Sequence, residues 1–157
     1  MILGIDPGSS QSAYVVLDKN LKPVNIGKVD NEELLDMIYK EDFHMCRHFA
    51  IEMIASYGMA VGKTVFDTCV YIGQLKEALA NTHGETVQYI YRKDEKMNLC
   101  GSMRAKDSNI RQALIDRFGV VGTKKAQGFF YGFKADIWSA MAVSVTYHDM
   151  YLKVIKN

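Results

Sequence analysis

The sequence predicts an α/β fold: a mixed five-stranded sheet, three strands in an antiparallel meander and two parallel, with helices on both faces. Three observations point to it. Three apolar runs within residues 2–28 are joined by connections too short for a crossover, so those strands are antiparallel. Two more apolar runs, at residues 47–54 and 86–91, are separated by a long stretch with helical periodicity, as parallel strands require. A final apolar stretch rich in small residues has the length of a helix packed closely on a sheet.

In order, residues 2–6 read as a buried strand. The turn Pro7-Gly8-Ser9-Ser10 leads into a second at 11–18, and the Asp18-Lys19-Asn20 turn into a third at 23–28. Asn31 starts a short helix, with Asn31 or Asp30 as its cap. After the strand at 47–54, a helix of about five turns starts at Lys63 or Thr64 and runs to Asn81, with Val65, Cys69, Ile72, Leu75 and Leu79 as its apolar stripe and His83-Gly84 closing it. The strand at 86–91 is followed by a basic helical stretch, 104–118, stopped by Gly119. The glycines between Gly119 and Gly128 suggest a mobile loop. Asp136 opens the last helix, which is expected to reach about Ile155. This order is ribonuclease H-like, in one domain spanning 1–157.

An apolar share of 48% with two prolines excludes disorder. No apolar stretch approaches the ~18 residues of a membrane span, and no basic-then-apolar leader is recognisable. Cys46, Cys69 and Cys100 form neither a metal-binding pair nor a disulfide framework, so reduced thiols and a cytoplasmic location are expected. The four histidines lack metal-binding spacing. The net charge of +1 conceals a segregation: residues 1–91 carry 7 Lys/Arg against 12 Asp/Glu, whereas residues 92–134 carry 10 against 4. A concentrated basic segment of this kind can track a phosphate backbone.

Three acids from distant segments carry the chemistry. Asp6 ends the first strand; Glu52 interrupts a strand that otherwise reads as buried, where an unpaired carboxylate is costly; Asp136 starts the last helix. The small residues Ala135, Ser139, Ala140, Ala142 and Ser144 would let that helix lie close to the sheet and bring Asp136 to Asp6. Convergent hard oxygen ligands suit Mg²⁺ or Mn²⁺, about two ions per site. Asp6 would bridge them, with Glu52 and Asp136 completing one site each. Residues 58–64 nearly spell a phosphate-cradling loop, but the spacing is one residue short. A loop over the site, with Lys63 on a phosphate and Tyr57 stacking on a base, is the better reading. Arg104, Lys106 and Arg111 flank a helix start, and Lys124, Lys125 and Lys134 follow, as candidate DNA contacts. Arg117 and the Asp107/Arg111 pair also read as plain surface helix charges.

With these residues in hand, the chain resembles RuvC-type crossover-junction endodeoxyribonucleases, in the compact form that bacteriophages and Firmicute prophages carry. The resemblance rests on Ile2-Leu3-Gly4-Ile5-Asp6-Pro7-Gly8, on Phe49-Ala50-Ile51-Glu52, on residues 105–110 and on residues 134–142. It implies a homodimer in a bacterial or phage-infected cytosol that binds four-way DNA junctions and nicks two strands of like polarity symmetrically, using Mg²⁺ or Mn²⁺. Asp6, Glu52 and Asp136 are the metal-binding acids it implies. Ser139 stands where the family commonly has a second Asp, and is a further candidate facing the metal. The family's basic residue in the 105–110 motif is shifted, with Lys106 one place earlier. Two rival readings are a catalytically inactive DNA-binding module and a relative of the sugar-kinase/actin-like ATPases.

Overall fold

Strand β1 (Ile2–Asp6) lies at the centre of a five-stranded sheet of order β3-β2-β1-β4-β5 in the computed structural model, which describes residues 1–153. Strands β2 (Gln11–Leu17) and β3 (Pro23–Asp30) complete the antiparallel meander, and β4 (His48–Met53) and β5 (Val87–Tyr91) extend it in parallel. Helices α1 (Asn31–Tyr39) and α2 (Lys63–His83) cover one face; α3 (Arg92–Cys100), α4 (Asp107–Phe118) and α5 (Ile137–Tyr147) cover the other. The sheet and its helices on both faces agree with the sequence reading. A π-type turn at His148–Leu152 ends α5, and the expected helix end at Ile155 lies outside the described residues.

The two-residue period of the strands sorts the core. Leu3, Ile5, Tyr14, Val16, Phe49 and Ile51 join α1 and α2, whereas Ile2, Ala13, Val15, Leu17 and Ala50 join α5. Gly4, on the α5 face, makes room for the helix: a Cβ there would stand 1.9 Å from Ser144 Oγ and 2.9 Å from the Ala140 carbonyl oxygen. Ala140, Ala142 and Ser144 are fully buried. The small-residue stripe therefore does lay α5 against the central strand.

Several expectations need correction. Helix α3 was not foreseen, because Arg92–Cys100 is mostly polar and has only one buried residue, Glu95. Its local signals are an Asp94 carboxylate accepting the Tyr91 N–H at 3.1 Å and a left-handed Gly101 at its end. The buried stripe of α2 is Thr68, Tyr71, Ile72, Leu75, Ala78 and Leu79; Val65 and Cys69 lie at its margin. Neither Asp30 nor Asn31 caps α1 with its side chain: Asp30 accepts from Gln11 at 2.9 Å, and Asn31 is turned to the loop after β1. The glycine-rich loop is anchored at its base, where Phe130 and Phe133 are buried against Trp138, and is cross-linked by a Gly122–Gln127 bridge. Arg117 is no mere surface charge. Its guanidinium grips both oxygens of Asp149, at 2.6 and 2.9 Å, and ties α4 to the π-type turn.

The tight seat of α5 on β1 generates a prediction. Gly4→Ala pushes a methyl into backbone as well as Ser144, and such overpacking costs about 1–3 kcal/mol. Urea denaturation should show a lower midpoint with an unchanged slope.

Candidate active site

The parallel register of β1 on β4 sets Gly4 beside Ala50 and Ile5 beside Ile51, so one step further brings Asp6 level with Glu52. Both acids fall on the α5 face by alternation, and their carboxyls are in hydrogen-bond contact. The turn behind Asp6 is pinned. The Asn31 side-chain amide donates to the Gly8 carbonyl at 3.0 Å, its oxygen accepts from Ser12 Oγ at 2.7 Å, and the Gly8 N–H donates to the same Ser12 oxygen at 3.3 Å. Tyr71 on α2 donates to the Asn31 carbonyl at 3.0 Å, so the turn is braced from below the sheet.

Asp136 occupies the N-cap position of α5 but does not cap it. Its carboxylate lies near enough to act on Asp6 electrostatically, and it accepts from the Lys28 ammonium at 2.5 Å. Lys28 reaches there because the meander places it in the same row as Asp6: Asp6 pairs with Ala13, and Ala13 with Lys28. Directly opposed residues share a face. Two more residues belong to the cluster. Glu95 of α3 is completely buried, and Arg92 donates to it at 2.5 Å while also gripping Asp107 at the start of α4. Arg92, read from the sequence as part of the basic DNA-holding segment, thus faces acids.

These neighbours set the proton affinities. Burial, then the Glu52 charge, the hydrogen bond with Glu52 and the Asp136 charge push Asp6 up to about 8, against the pull of Arg92. Burial and then Glu95 push Glu52 up to about 7, opposed by Arg92. Burial likewise pushes Glu95 up to about 8, despite Arg92. Burial together with the neighbouring carboxylates thus favours the protonated forms of Asp6 and Glu52.

The donor set suits a hard divalent cation: Asp6, Glu52 and Asp136 offer only oxygens, and the buried Glu95 Oε1 has no hydrogen-bond partner at all. As the side chains stand, no three acids among the described residues form a group that could hold an ion; Asp136 is engaged by Lys28 instead. A cleft of about 380 Å³ opens beside them, lined by Arg92, Asp107, Arg111, Asp136 and Ser139 among others.

The remaining candidates divide. Arg111 and Ser139 lie at the cleft, with the Arg111 guanidinium 4.7 Å over the Trp138 ring. Asp107 pairs with Arg92 and not with Arg111. Arg104, Lys106, Lys124, Lys125 and Lys134 are all exposed. Lys124 and Lys125 sit at the tip of the anchored loop. Lys63 is exposed but paired with Asp67 at 2.5 Å. Tyr57 is 61% exposed with a left-handed backbone, φ 47°, in the loop before α2. Sequence reading missed Lys28, Arg92 and Glu95 as members of the cluster. Only Lys28 left a usable signal, through the meander register.

The architecture has solved counterparts. Thermus thermophilus RuvC bound to a Holliday junction superposes with a TM-score of 0.68 at 18% identity, over 98% of this chain and 94% of that one. The T. thermophilus RuvC structure gives 0.67 at 19% identity, over 98% and 95%. The fold is that of RuvC. Fowlpox virus resolvase, in complex with its Holliday junction DNA, gives 0.58 at 13% identity, over 95% and 99%. No protein-family model and no curated protein matches the sequence. On this RuvC fold, Asp6 and Glu52 stand at the ends of the two central parallel strands. Among the described residues no helix is long and apolar enough to cross a membrane.

The raised proton affinities fix a pH dependence. An acid whose folded pKa lies above its unfolded value stabilises the fold below the unfolded value, and that contribution is lost as pH rises through the folded one. Asp6 moves from 3.8 to about 8 and Glu52 from 4.5 to about 7. In chelator, the melting temperature should therefore fall between about pH 5 and pH 8, and Asp6→Asn should flatten the fall. A melting temperature independent of pH for the unsubstituted chain would contradict the buried-pair assignment.

Proposed function

We propose that this chain is a structure-selective endodeoxyribonuclease that resolves four-way or branched DNA by paired, symmetric, Mg²⁺- or Mn²⁺-dependent nicks, acting as a homodimer. The contact between the Asp6 and Glu52 carboxyls, on the same face as Asp136, carries this reading. Hydrolysis of a phosphodiester needs such a cluster at a rigid sheet end, open to a cleft that a strand can enter. The likeness of the fold to RuvC and to Fowlpox virus resolvase, both solved with Holliday junction DNA, supports this choice of substrate class.

A pair of bound divalent ions would supply an activated water and neutralise charge on the departing 3′ oxygen. The chain's own residues prepare for that. To hold such ions Asp6 and Glu52 would have to be ionised, and Asp136 would exchange the Lys28 ammonium for the site. Arg111 borders the cleft, and Arg104, Lys106, Lys134 and the Lys124-Lys125 tip are exposed cations that could contact the backbone. Tyr57, exposed on a loop with Lys63 nearby in sequence, would be the residue to stack on an unpaired base.

Asp6→Asn should bind a synthetic four-way junction as the unsubstituted chain does, yet lower its nicking rate by roughly a hundredfold or more. Gel shift and single-turnover cleavage measure the two separately, and wild-type nicking by that variant would sink the reading. Lys124→Ala combined with Lys125→Ala should weaken junction binding and reduce the slope of log K against log salt by about 1–2. The Lys28–Asp136 ion pair favours a second reading, a junction-binding protein without hydrolysis. Binding by the unsubstituted chain without nicking in either Mg²⁺ or Mn²⁺ selects it.

A further inference from the structure

Glu95 is the one carboxylate among the described residues that is wholly buried and half unpaired. Its side chain has no exposed surface, one oxygen accepts from Arg92 at 2.5 Å, and the other has no partner. The other buried side-chain atoms left without partners among the described residues belong to His83, Trp138 and Thr146, all neutral or weakly basic groups. An orphaned buried carboxyl oxygen is costlier than these, and a bound ion or an ordered water is the kind of partner that would satisfy it.

The same chain shows how a purely structural arginine partner is used. Asp149 presents both oxygens to Arg117, at 2.6 and 2.9 Å. Glu95 presents only one to Arg92, whose second nitrogen goes to Asp107. Glu95 lies near enough to Glu52 to raise its proton affinity, and near enough to Asp6 to have its own raised by it. Arg92 thereby fixes Glu95 while leaving half of its coordinating capacity open beside two more acids.

We infer that Glu95, delivered by α3, is an oxygen ligand of the divalent cation held by Asp6 and Glu52, with Arg92 as the positioning residue that aims it. This deepens the nuclease reading and rests on it. Arg92 offsets the repulsion among the carboxylates before a cation arrives, and stays on the second Glu95 oxygen afterwards. Closure about the ion requires side-chain rearrangement, since among the described residues no three acids yet stand at ion-holding distance.

Calorimetric titration of the full-length chain with Mn²⁺, and separately with hexaamminecobalt(III), tests this. The second ion cannot exchange its ammine ligands, so it reports the electrostatic field without direct ligation. Glu95→Gln, which keeps the shape and can still accept from Arg92, should raise the Mn²⁺ Kd by roughly tenfold or more. Its hexaamminecobalt affinity should change by less than about threefold. An Mn²⁺ Kd unchanged by Glu95→Gln overturns the inference, and equal losses for both ions reduce Glu95 to a distant charge and overturn it too. Should Glu95→Gln fail to fold, Glu95→Asp, which keeps the charge but shortens the reach, is held to the same outcomes. If the unsubstituted chain takes up no Mn²⁺, the nuclease reading itself falls. If it does, and Asp6→Asn abolishes uptake while Glu95→Gln leaves it intact, only the role of Glu95 is lost.

Discussion

Two carboxyls that repel when ionised are held in contact by the parallel pairing of β1 with β4. Everything else around the cleft answers that constraint. The register of the strands leaves Asp6 and Glu52 no choice of neighbour, and the Asn31-braced turn behind Asp6 prevents the strand end from fraying apart. Burial on the α5 face denies them water as a screen. The repulsion is offset by nearby cations, Arg92 from α3 and Lys28 from β3, and by a raised proton affinity of both acids. Such tension is a cost to folding that a bound divalent ion would relieve.

Charge is layered as well as clustered. Glu95 is wholly buried and Asp6 and Glu52 are half-buried, whereas Asp107 and Asp136 reach the cleft surface, where Arg92 and Lys28 pair with them. Lysines such as Lys106 and Lys124 are exposed at a helix start and a loop tip.

Much of the fold was legible in the sequence because strand periodicity and short connections are local signals. The meander, the parallel pair and the seat of α5 follow from residues 2–28, Phe49-Ala50-Ile51 and the small residues around Ala140. Asp6, Glu52 and Asp136 stood out because each is a charge placed against an apolar run. Helix α3 did not, since Arg92–Cys100 has no apolar stripe and is held by ion pairs, caps and neighbouring helices. Glu95 was invisible for the same reason: in a run of charged residues nothing distinguishes the one that tertiary packing buries. The pairing of Asp136 with Lys28 lies 108 residues apart in the chain and becomes predictable only once strand register is known.

The missing side chain at Gly4 fixes the sheet-to-helix spacing, and that spacing also sets how far the start of α5 stands from the end of β1. Evolutionary drift at this position is consequently coupled. A bulkier residue on the strand can be absorbed only by a simultaneous reduction at Ser144 and a shift of the Ala140 backbone, and that shift would be carried one turn along the helix to Asp136. Mutational tolerance at a site with no chemistry of its own is thus limited by the alignment of Asp6, on the same strand, with Asp136, at the start of the helix packed on it.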